Sequence, residues 1–152
     1  MLLDSQLMFS DAQAVTSTTI STNVYDTNTN NSPNTVKDLG AGEPLYLIVQ
    51  TQTTCTDVGS DATLTVSLES DSTADLATSP TVHFSTGALA FASFATAGTR
   101  LCAVRLPDGA YERYLGVRYT VSNGPLTAGK FNAFLVKDVQ SLTNYASGFT
   151  IG

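Results

Sequence analysis

YERYLGVRYTVSNGPLTAGKFNAFLVKD, residues 111–138, decides the fold. In its first half Leu115, Val117, Tyr119 and Val121 recur at every second position and alternate with Tyr114, Gly116, Arg118 and Thr120. A two-residue period is that of a strand with one face in the core and one outside, and it puts Arg118 on the outer face. Asn123, Gly124 and Pro125 open a turn and Gly129 closes it. The returning segment is apolar on both faces, with Phe131, Ala133 and Leu135 opposed by Phe134 and Val136. A strand of that kind belongs in the middle of a sandwich or beneath an interface.

Upstream the same signals recur at short intervals. LYLIVQTQ (residues 45–52) is apolar on both faces at its start and polar toward its end, and TTCTDVGSD then turns the chain. TLTVSLES (residues 63–70) alternates Leu64, Val66 and Leu68 with Thr63, Thr65, Ser67 and Glu69, which predicts one core face and one wet face. Weaker strands are expected at residues 20–26, 81–85, 88–94 and 100–107; for LATSP and GALAFASFA a helix fits as well. The run TNTNNSPNTVKDLGAGEP reads as a surface loop. About eight short strands predict an all-β protein, an antiparallel sandwich of immunoglobulin-like or jelly-roll type. Residues 1–19, with Leu2, Leu3, Leu7, Met8 and Phe9 among polar neighbours, read as an N-terminal arm holding at most a short helical turn, and residues 20–152 as the sandwich domain.

Composition agrees. The 152 residues suit one domain. Only 13% are charged and roughly a quarter are Ser or Thr, a mixture that favours strands over helices. The formal charge of −6 divides unevenly, −9 over residues 1–76 and +3 over residues 77–152. An acidic chain lacks the basic footprint that phosphate binding needs, which argues against nucleic acid and against an anionic membrane as partners. No stretch approaches the ~20 apolar residues of a spanning helix. The first residues carry Asp4 and Asp11 and no basic segment, so a secretory signal is not expected. In such a chain Cys55 and Cys102 are expected to be reduced and buried.

Catalytic chemistry finds little support. His83, in TVHFS, is the one histidine, and no G-x-S-x-G sequence accompanies it. One His and two distant Cys do not make a zinc site, and no metal or cofactor is expected. Asp57 with Asp61, and Asp71 with Asp75, sit in Ser/Thr-rich turns where Asp caps backbone amides, although paired carboxylates are also what a glycosidase uses. The absence of Trp weakens a carbohydrate-binding reading. Arg105, Tyr111, Arg113, Tyr114 and Arg118 have interface chemistry, large contact area with polar tips, but arginine on a solvated sheet face beside Glu112 is also what an isolated domain shows.

Three collinear stretches carry a family likeness: LLDSQLMFSDAQAVT with STNVYD, GAGEPLYLIV with GSDATLTVSLESD, and AGTRL with ERYLGVRYTVSNGPLTAGKFNAFLVKD. Together they resemble the capsid cement (decoration) proteins of tailed bacteriophages, of the jelly-roll kind carried by a short-tailed Bordetella phage. The resemblance implies a jelly roll that binds the outer face of the phage head as a homodimer and bridges major capsid protein subunits, with no catalytic residues. The Asn-rich segment at residues 27–35 is longer than the family pattern. Leu2, Leu3, Leu7, Met8 and Phe9, together with Arg113, Tyr114 and Arg118, are the candidate contacts to capsid or dimer partner. The competing expectations are a carbohydrate-binding module and a small β-sandwich hydrolase using His83.

Overall fold

A computed structural model describes residues 4–27 and 42–139. Ten strands follow a short 3-10 turn at Ser5–Leu7: β1 (Met8–Ala14), β2 (Thr19–Ile20), β3 (Tyr25–Asp26), β4 (Tyr46–Thr56), β5 (Thr63–Asp71), β6 (Thr81–Ser85), β7 (Leu89–Ala90), β8 (Arg100–Arg105), β9 (Tyr114–Ser122) and β10 (Ala128–Val136). One helical turn, α1 (Phe91–Phe94), lies between β7 and β8. The first sheet has the order β1-β10-β4-β8 and the second the order β2-β9-β5-β6, with β3 on β9 and β7 on β5. All pairings are antiparallel. The chain passes from one sheet to the other at β1–β2, β3–β4, β4–β5, β7–β8, β8–β9 and β9–β10, the winding of a jelly roll.

The core lies where the alternation puts it. Leu64, Val66 and Leu68 of β5 and Leu115, Val117 and Tyr119 of β9 face Leu47, Val49, Phe131, Ala133 and Leu135 of the other sheet, and all are buried. Tyr119 has its ring 5.5 Å from that of Phe131 and donates its hydroxyl to Ser10 Oγ at 3.0 Å, so its polar end is satisfied inside the core. Burial raises the pKa of that phenol, a hydrogen bond with Ser10 opposing. Gly129 has φ +154°, and a Cβ there would lie 2.6 Å from Cys55 Sγ, which explains glycine at the turn.

Several sequence expectations change. Met8–Ala14, read as arm, is edge strand β1 of the first sheet, and Phe9 is buried in the core. Its pattern is obscured because β1 is irregular: the register with β10 shifts between Met8 and Ser10 and again between Ser10 and Gln13, and Ala12 has φ 47°. Residues 20–26 do not form one strand. They split into β2 and β3 because Asn23 turns to β1, its backbone N–H donating to Phe9 O and its side chain to Met8 O. The Gln13 side chain links the same edges, donating to Ile20 O and accepting from Thr22 N. Residues 88–94 give only β7 before α1, whose Phe94 fills the end of the core. Cys55 and Cys102 are free thiols, and burial pushes both up to about 11. Cys102 pairs with Val49, six residues along β4 from Cys55, about 20 Å at strand rise.

The wet face expected for β5 is the largest correction. Ser67, Glu69 and Asp71 are buried although they point away from the core. The β5–β6 loop folds back over them and inserts Leu76, 0% exposed with φ 49°, against Gly116 of β9. A Cβ on Gly116 would meet Leu76 Cδ1 at 2.8 Å and Ser21 Oγ and Val24 Cγ2 at 3.3 Å. The missing side chain is the socket for the loop.

Candidate interaction surface

The strand order gathers the starts of β1, β4, β6 and β9 and the ends of β3, β5, β8 and β10 at one end of the sandwich. Leu7, Met8, Arg105, Arg113 and Tyr114 all fall there. Leu7 and Met8 are half-buried, Leu7 packing against the core, while Phe9 is spent within it. Leu2 and Leu3 lie outside the described residues.

Arg113 is the most built of the exposed groups. Its Nε donates to Asp26 Oδ1 at 3.1 Å and its Nη2 to Asp26 Oδ2 at 3.0 Å, a two-pronged pair that fixes the plane of the guanidinium. The same cation sits 4.9 Å above the Tyr114 ring centroid. Donating to the Asp26 carboxylate raises the pKa of Arg113. Thr27 anchors the local backbone, donating its N–H and its hydroxyl to Arg113 O, both at 2.8 Å. The Arg113 side chain remains 47% exposed, so a flat ledge of guanidinium and phenol faces outward at the end of the second sheet.

Arg118 lies on the outer face, as the alternation predicts, but it serves the subunit. Its Nε donates to Glu69 Oε2 at 2.7 Å and its Nη2 to Leu76 O at 2.5 Å; Ser67 Oγ donates to Glu69 Oε1 at 2.6 Å. This network latches the β5–β6 loop across the sheet. Asp71 holds the loop's base by accepting from the backbone N–H groups of Ser72, Thr78 and Ser79. Burial works to raise the Asp71 pKa, and those donors outweigh it, holding the carboxyl below its ordinary range. Arg105 is half exposed on the first sheet, 4.0 Å from Asp108.

Tyr111 is not a surface residue. It is buried, donates its hydroxyl to Pro107 O, and packs its ring 4.2 Å from that of His83. His83 Nε2 lies 2.7 Å from Ser70 Oγ, and Ser70 Oγ accepts from Glu112 N at 3.0 Å. Partial burial keeps the histidine's pKa below its ordinary value against the pull of Glu112. This is a serine–histidine pair in composition, yet Ser70 is 0% exposed, so no substrate carbonyl reaches its oxygen. Asp57 caps the β4–β5 turn, accepting from Asp61 N and Ala62 N, each at 3.0 Å. Among the described residues no group of three or more His, Cys, Asp and Glu side chains is placed to hold a metal ion, and no helix is long and apolar enough to cross a membrane.

The sequence missed Asp26 and Glu69, the partners that divide the arginines into an outward ledge and an internal latch. An isolated glycine inside strand β9 was the available signal, because such a glycine marks a close approach by another segment. No curated protein matches the chain. The family model Bbp16 matches residues 9–135, from Phe9 at the first edge strand to Leu135 near the end of the last, and so takes in both sheets and the Arg113 ledge. With that span of the jelly roll accounted for, the chain belongs to the Bbp16 family, named after a Bordetella phage protein, and is a bacteriophage-associated protein.

Proposed function

We propose that the protein is a capsid cement subunit, which binds the outer face of a phage head as a homodimer and stabilises it by bridging major capsid protein subunits. The observation that carries this reading is the family match over residues 9–135. The geometry supports it: the half-exposed arginine–tyrosine ledge of the second sheet and Met8 of the first lie at the same end of the sandwich, while Ser70, the hydroxyl nearest the histidine, is sealed inside. The role is non-enzymatic and needs no cofactor. An acidic subunit is repelled by packaged nucleic acid and by anionic membranes, which suits the outside of the shell.

The physical effect is linkage. A ligand that binds assembled shell and not loose subunits stabilises assembly by about 4 kcal/mol per site at a thousandfold excess over Kd. A dimer adds avidity, because both contacts must open before it leaves. Purified protein mixed with undecorated capsids is expected to co-sediment with them and to raise their temperature of disruption. Protein that stays in the supernatant at micromolar concentration rejects the reading.

A further inference from the structure

The loop from β9 to β10 holds the sequence's one Asn-Gly pair, Asn123 and Gly124. Because β9 lies in the second sheet and β10 in the first, this loop is a crossing between sheets and not a hydrogen-bonded hairpin. Its far side is pinned: Leu126 N donates to Thr16 O at 2.9 Å and Thr127 N to Thr56 O at 2.8 Å, and the Leu126 side chain is buried. Its near side is loose. Asn123 and Gly124 are exposed, and among the described residues no hydrogen bond holds either of them. The other two described asparagines are tied, Asn23 Nδ2 donating to Met8 O at 3.0 Å and Asn132 Oδ1 accepting from Ala12 N at 2.6 Å. The crossing itself selects the pair. A Cβ on Gly124 would lie 3.0 Å from Val121 Cγ1 and 3.2 Å from Leu126 N, and Asn123 has φ 55°, a left-handed value that asparagine tolerates better than most residues.

We propose that Asn123 is a site of spontaneous self-modification, where the folded chain converts asparagine to isoaspartate and aspartate without an enzyme. Base removes the proton from Gly124 N, and that nitrogen attacks Asn123 Cγ. The new N–C bond closes a five-membered succinimide, the Cγ–Nδ2 bond breaks, and the side-chain nitrogen takes up a proton and leaves as ammonia. Water then opens the ring at one of its two carbonyls. Opening at Cγ gives aspartate; opening at the backbone carbonyl gives isoaspartate, in which the main chain runs through the side chain. One water is consumed, one ammonia is released, and nothing is oxidised or reduced. The amide nitrogen that follows an asparagine is ordinarily shielded by the side chain of its own residue, and Gly124 has none. Attack also requires Asn123 to leave its left-handed conformation, which no hydrogen bond at either residue resists. Asn23 and Asn132 meet neither condition: their side chains are held, and Val24 and Ala133 follow them. Each product adds a negative charge to an exposed loop at the end of the sandwich away from Arg113, so the molecule's age is written in its charge. This inference stands apart from the cement reading and survives or fails without it.

Ageing the full folded chain in mildly alkaline buffer tests it. Trypsin releases residues 119–130 as one peptide, in which Asn123 is the only asparagine. Its isoaspartate and aspartate forms, separated by chromatography and assigned by electron-transfer fragmentation, are expected to accumulate with time, faster as pH rises, and several-fold faster than conversion at any other asparagine. Digestion in heavy-oxygen water marks conversion that occurs during the digest itself. The same sequence aged as a free peptide sets the unrestrained rate. A folded chain that stays intact at Asn123 while the peptide converts, or that converts first at another asparagine, overturns the assignment. Ion exchange of the intact protein gives a second reading. An acidic species is expected to grow in the parent and to be lost in Asn123→Gly, a variant that keeps the left-handed backbone without the reactive amide. An equal acidic species in that variant rejects the proposal.

Discussion

At single positions the outer face of the second sheet is held by one absent side chain and one ion pair. Gly116→Ala places a methyl 2.8 Å from Leu76 Cδ1, and Leu76, fully buried, has no room to retreat without lifting its loop. Overpacking of this kind costs about 1–3 kcal/mol, read as a lower urea midpoint with little change in slope. A variant as stable as the parent would show that the loop does not bear on the glycine. Arg118→Ala strands Glu69, 4% exposed, beside a lone serine donor. Removing one partner of a buried pair costs about 3–5 kcal/mol; because the Arg118 side chain is 25% exposed, about 2–3 is expected here. Arg113→Ala, by contrast, breaks a solvent-screened pair and is expected to leave the urea midpoint almost unchanged. Equal losses for the two arginines would contradict the division into latch and ledge.

Among the elements, the β5–β6 loop has a stated dependence on acid. Asp71 is held below its ordinary 3.8 by backbone donors that need the carboxylate. The folded value is depressed, so its contribution is fully present above that ordinary value and is lost as pH falls through the folded one. His83 acts in the same direction nearer neutrality: its folded pKa is also depressed, so stability declines as pH drops below the ordinary 6.5. Denaturation midpoints measured from pH 7 to pH 2 are expected to fall in two stages. Asp71→Asn should flatten the lower stage, and His83→Ala the upper one. A midpoint flat across the whole range would remove both assignments. The strands themselves were legible from the alternation in β5, β9 and β10, since burial imposes a two-residue period. What covers them was not. Glu69 reads as solvated until Leu76, seven residues on, is seen to turn back over it, and Phe9 reads as arm because two register shifts erase the period of β1. Long-range pairing and bulges leave no local periodic mark. The interface chemistry of Arg113 and Tyr114 could be read directly, but which arginine was engaged inward depended on partners 49 and 87 residues away.

For the whole molecule, the prediction concerns the shell. Arg113→Glu sets two acids side by side at the ledge yet touches no core contact, so folding is expected to persist. Affinity for undecorated capsids, measured by co-sedimentation across a concentration series, is expected to drop at least tenfold, which equals a loss of about 1.4 kcal/mol for the binding event as a whole. Full occupancy with the reversed charge removes the ledge from the contact surface. Met8→Asp tests the neighbouring strand in the same assay without disturbing buried Phe9, which truncation through residue 9 would delete from the core.

Both margins of the first sheet are poor templates for another ribbon. Along β1 two bulges and a left-handed Ala12 break the comb of amides, and β8 begins and ends in arginine. Two such molecules colliding flank to flank find mismatched hydrogen-bond spacing on one side and like charges on the other. Concentrated solutions of the protein should accordingly stay clear and free of fibres, its strands closed to strangers and its association left to side chains alone.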